Sequence, residues 1–81
     1  MHRLKPKQQT RADYYGVNAN RLAKDTKAKI ERIRTRIEQV QEPWMDFDQA
    51  VTSAVNEVIA ALDKLKQTVA ESADYLNESF E

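Results

Sequence analysis

The residue types that usually carry chemistry are nearly absent from this 81-residue chain, which has one histidine, His2, and no cysteine. A Ser-His-Asp arrangement or a His- or Cys-based metal site therefore has no material. Carboxylates could pair at helical spacing, as Asp74 and Glu78 do, but such pairs ordinarily form a solvated face. No catalytic residue, metal ligand or cofactor site is expected, and the chain reads as a non-enzymatic protein.

Charge is the other candidate for chemistry. Residues 1–36 hold eleven bases against three acids, and residues 37–81 hold two bases against ten acids. The net charge of zero thus hides a strong reversal of sign along the chain. Clustered bases on a helix are the usual footprint of nucleic-acid binding. Winding the first half at about 100° per residue puts Arg21, Lys29, Arg32 and Arg36 on one flank of an apolar stripe, Lys27 and Arg34 on the other, and Lys24 at the back. No aromatic residue interleaves them to stack on bases, and the acidic second half would repel phosphate. A solvated basic surface is the better reading, with a nucleic-acid-binding helical module as the alternative.

The elements that present these charges are helices. One glycine and two prolines leave few places to turn, and there is no room for a sheet. Small or apolar residues recur at Ala19, Ala23, Thr26, Ile30, Ile33, Ile37 and Val40, alternating threes and fours. A second stripe runs through Phe47, Val51, Ala54, Val58, Leu62, Leu65, Val69, Ala73, Leu76 and Phe80, broadened by Val55 and Ile59. Pro43 disfavours helix at Glu42, and Asp46 with Gln49 has the spacing of a capping box. The expected organisation is a basic tail over 1–9 and a helical hairpin over 10–81, with a helix over 11–41, a turn over 42–46 and a helix over 47–80. Thr10 and Asp13 would cap the first helix, leaving Gly16 inside it at a cost of about 1 kcal/mol. The longest apolar run, Val58 to Leu62, is far short of the roughly 20 residues that span a bilayer.

With the turn centred on Trp44, facing residue numbers sum to about 88, which pairs Ile37 with Val51, Ile33 with Val55 and Ile30 with Val58. On this reading Asp48, Asp63 and Asp74 lie near the bases of the first helix, whereas Glu57, Glu71 and Glu78 point outward. Trp44 would plug the turn by packing near Val40, Phe47 and Val51. The bland alternative is one continuous helix kinked at Pro43 and packed as a coiled-coil oligomerisation segment.

Two amphipathic helices, no cysteine, no apolar leader and a tryptophan at the turn together resemble the WXG family of small type VII secretion proteins. The stretch Pro43-Trp44-Met45-Asp46-Phe47, followed by Ala50, Val51, Ala54 and Val55, is similar to that family's W-x-G turn leading into its second helix. Asp46 stands where the motif has glycine. The family's C-terminal signal is a tyrosine followed four residues later by an acid, and here Tyr75 is followed by Glu78 at three. The resemblance implies a bacterial cytoplasmic protein, with any export by a route that uses no signal peptide. A chaperone-like partner that binds the helical N-terminal domain of a larger toxin would suit the incomplete motif.

A two-helix hairpin this small has little net stability alone, because ordering costs roughly 1.5 kcal/mol per residue against one thin core. The fold class expected is therefore all-α, a two-helix antiparallel hairpin completed to a four-helix bundle by a homodimer or by a heterodimer with another helical hairpin. The interface would be built from Ile30, Ile33, Ile37, Val51, Val55, Val58, Ile59, Leu62, Leu65 and Val69.

Overall fold

The computed structural model describes residues 9–79. Of the expected tail over 1–9, residues 1–8 lie outside the described residues, as does the expected end of the second helix at Phe80. Within them the chain forms a short helix α1 (Arg11–Tyr15), a long helix α2 (Ala19–Gln41), a 3-10 turn (Glu42–Trp44) and a long helix α3 (Gln49–Leu76). The two long helices fold back on each other as a hairpin, and the whole measures 67 × 19 × 11 Å. No strand occurs among the described residues, although Thr10 and Ser79 form an isolated antiparallel bridge.

The first helix is two helices. Thr10 and Asp13 do make the expected capping box, the Thr10 hydroxyl accepting from the Asp13 amide and the Asp13 carboxylate accepting from the Thr10 amide. Gly16, expected inside one helix, instead ends α1 with φ 72°, a left-handed geometry open to a residue without Cβ. The Gly16 amide donates to Asp13 at 3.1 Å and the Val17 amide to Ala12 at 2.9 Å, so the Ala12 and Asp13 carbonyls near the end of α1 are satisfied. Asn18 then restarts the helix, its side-chain oxygen accepting from the Arg21 amide at 3.0 Å. Ending and restarting the helix frees α1 to lie across the hairpin's open end.

At the other end the proline interrupts less than expected. α2 stops at Gln41 as the sequence indicates, but Gln41, Glu42 and Met45 all keep right-handed helical angles around the 3-10 turn. Pro43 sits in the first turn, where its missing N–H is not needed. Helical winding therefore persists to Met45. The second helix is capped by Asp48, whose carboxylate accepts from the Ala50 amide at 2.8 Å, and not by Asp46. Phe47 lies in the turn, not in the helix, and is 83 % exposed.

That displacement moves the register. Side-chain pairs across the hairpin are Asn20 with Asn77, Glu31 with Lys66 and Arg34 with Asp63, and the residue numbers in each pair sum to 97. The expected sum of about 88 placed the turn roughly one helical turn too early. The pairings of Ile37 with Val51 and Ile30 with Val58 belong to that earlier turn.

The core is a thin seam. Ala19, Ala23 and Ile30 of α2 and Val55 and Ala73 of α3 are buried, and Ala12 of α1 joins them. At the open end the contact is nearly all alanine, Ala12, Ala19, Ala23 and Ala73, with Val69 and Leu76 packed against it. Small side chains let three helices meet closely there, at the price of little apolar area per residue.

Candidate functional site

The seam divides the hairpin into two faces, and the residues expected to make a partner interface do not share one fate. Ile30 and Val55 are buried, and Ile37, Val51, Ile59, Leu62 and Val69 are half-buried. Ile33, Val58 and Leu65 keep 47 %, 42 % and 46 % of their surface, with Leu22 at 51 % and Val40 at 54 %. Winding explains the split: Leu22, Ile33 and Val40 of α2 fall on one side of the buried line through Ala19, Ala23 and Ile30, as Val58 and Leu65 do on α3. In an antiparallel pair those two sides coincide. They form one open apolar face along the rod.

Toward the α1 end this face deepens into a groove of about 220 Å³ whose lining includes Leu22, Thr26, Thr68, Val69, Ser72 and Leu76. Its walls are apolar side chains and its polar atoms are small hydroxyls, so it offers a bed for apolar side chains and no machinery for bond-making.

The opposite face is closed by polar contacts. Arg34 reaches Asp63 at 3.3 Å through Nη1 while its Nε lies 3.7 Å from Glu38. Lys66 donates to Glu31, and this hydrogen bond, together with the lysine's charge, holds the Glu31 carboxyl below its ordinary value. The Asn77 side-chain amide donates through Nδ2 to the Asn20 Oδ1 at 2.9 Å. Asp63 was expected near the bases of the first helix and is found there. The Glu31–Lys66 pair was not expected, because it joins an acid of the basic half to a base of the acidic half.

Glu78, expected to point outward, is drawn into the clasp made by α1. The Arg11 guanidinium lies 3.3 Å from the Glu78 carboxylate, donates to the Tyr75 carbonyl at 3.2 Å and stands 4.2 Å from the centre of the Tyr75 ring. The Arg11 amide also donates to the Glu78 carbonyl at 3.1 Å. Tyr75 and Glu78, the residues resembling a C-terminal signal, are thus brought together and held from the N-terminal side. The local signal for the clasp, Asn18 as a second N-cap two residues after a glycine, lies inside the helix expected over 11–41.

Of the turn residues, Trp44 is 45 % exposed, Met45 60 % and Phe47 83 %. The turn is closed by backbone, with the Phe47 and Asp48 amides each donating to the Trp44 carbonyl at 3.0 Å, and Trp44 is not a buried plug. The bases Arg21, Lys29, Arg32 and Arg36 are exposed, and the last three border a shallow depression around Ile33.

Among the described residues no group of acids, histidines or cysteines could hold a metal ion, and no helix is long and apolar enough to cross a membrane. Comparison with known proteins finds no family model, no curated protein and no solved structure that matches the chain.

Proposed function

We propose that this chain is a non-enzymatic helical interaction protein that docks a further helical hairpin on its open face, completing a four-helix bundle. The observation that carries the reading is the run of exposed apolar side chains, Leu22, Ile33 and Val40 on α2 facing the same way as Val58 and Leu65 on α3. A hairpin whose buried core, among the described residues, is six small or branched side chains gains stability by covering that face. The resemblance to WXG-like proteins of type VII secretion supports the same reading, with the helical N-terminal domain of a secreted toxin as the partner and a chaperone-like role for this chain.

Sedimentation equilibrium tests it, on the chain alone and mixed with helical hairpin proteins encoded beside it. The wild type forms a complex in at least one mixture. Leu22→Asp with Leu65→Asp, at exposed positions, stays monomeric while keeping its helical circular dichroism. A wild-type chain that remains a fully helical, stable monomer at micromolar concentration in every mixture overturns the proposal.

A further inference from the structure

We propose that the partner on the open face is a helical segment bearing carboxylates along one border of its apolar stripe, and not a second copy of this chain. The inference rests on the docking role proposed above and concerns what that face selects.

The α2 border of the face is basic. Lys29, Arg32 and Arg36 cluster around Ile33 at the surface, and none of the three forms an ion pair among the described residues. Asp25, one turn before Lys29, is the one acid that winding brings to the same border. The contrast with the closed face is direct: there Arg34 has Asp63 and Glu38 beside it. The α3 border of the open face offers no such groups, since Ala54, Ala61, Thr68 and Ser72 line it, while Glu57 and Glu71 wind to the far side.

A second copy would therefore meet this border badly in either packing. With α2 against α2, three bases oppose three bases. With α2 against α3, the bases are covered by small neutral side chains and lose water without gaining a carboxylate, which is unfavourable for any ion. Self-pairing is disfavoured by charge, and an acid-bordered helix is favoured by the same groups, which also steer its approach. The small residues of the α3 border let that helix come close.

The probes are two synthetic amphipathic peptides matching the 28 residues of α3 in length, identical in their Leu/Ala stripe, one bordered by Glu and the other by Lys. Binding is read by fluorescence anisotropy at low and high salt. The Glu-bordered peptide is expected to bind the wild type about tenfold or more tightly than the Lys-bordered one, with the preference shrinking in salt. Lys29→Glu/Arg32→Glu/Arg36→Glu inverts the preference, and Lys24→Glu/Lys64→Glu, off this face, leaves it in place. Equal binding of the two peptides overturns the inference and leaves the docking role standing, and so does tight, salt-insensitive self-association of the chain. Salt-sensitive binding of a DNA duplex, with neither peptide bound, overturns it in favour of nucleic acid. Failure of both peptides and of every mixture to associate removes the docking role itself.

Discussion

The two faces of this hairpin are built from the same two helices and behave oppositely. On one, long polar side chains cross the seam and meet: Glu31 with Lys66, Arg34 with Asp63, Asn20 with Asn77. On the other, Leu22, Ile33, Val58 and Leu65 stand about half in water. Exposed ion pairs contribute about 1 kcal/mol or less each, so the closed face does more to fix register than to supply stability. The open face holds the apolar area that could supply it, unspent. The lesson is that an amphipathic stripe wider than its one partner helix divides into a core and an interface, and side-chain angle decides which residue joins which.

Two identical substitutions three residues apart should separate the faces most strongly. Ile30 is 3 % exposed and Ile33 47 %. Ile30→Ala is expected to destabilise the chain by about 3 kcal/mol, the range for a buried branched residue, and Ile33→Ala by no more than about 1 kcal/mol. Urea denaturation of the unpartnered chain measures both, and equal losses would mean that the faces do not differ. A smaller effect concerns the clasp. Gly16→Ala places a Cβ in open space but at φ 72°, so it reports backbone strain alone, about 1 kcal/mol. It should loosen α1 and speed hydrogen exchange of the Arg11 and Val17 amides while leaving those of mid-α3 unchanged.

The smallest effect is expected at the closed face. Because Lys66 holds the folded Glu31 carboxyl below its ordinary value of 4.5, its contribution is fully present above that value and is lost as pH falls through the lowered one. The stability difference between wild type and Glu31→Gln should therefore be present at neutral pH and vanish in acid. A difference that stays constant across this titration would detach Glu31 from the register of the hairpin.

How far the sequence could be read depended on the range of each signal. Thr10 with Asp13 and the stop at Gln41 were legible because capping and helix termination act over three or four residues. The end of α1 is legible in principle, since Gly16 and Asn18 are ordinary stop and start signals, but a capping box at Thr10 and Asp13 followed by a stripe from Ala19 also fits one continuous helix. The second helix's cap was misplaced by two residues because Asp46 and Asp48 both precede plausible helices, and the 3-10 winding through Pro43 decided between them. That shift propagated into the register, so the expected pairings failed although the stripes were correct. The interface residues were identified as apolar, but which of them lie at the seam could not be read from periodicity alone.

Helicity, two long amphipathic helices meeting near Trp44, and a change in the sign of the charge between them were all legible in the chain. These follow from propensity, period and composition, which are local. It took packing to settle that α1 closes the open end through Arg11, that Glu31 pairs with Lys66 against the overall charge pattern, and that Ile30 is core while Ile33 is surface. Those outcomes depend on the angle and register at which two helices pack, and a rotation of a few tens of degrees or a slip of one turn would exchange the residues involved.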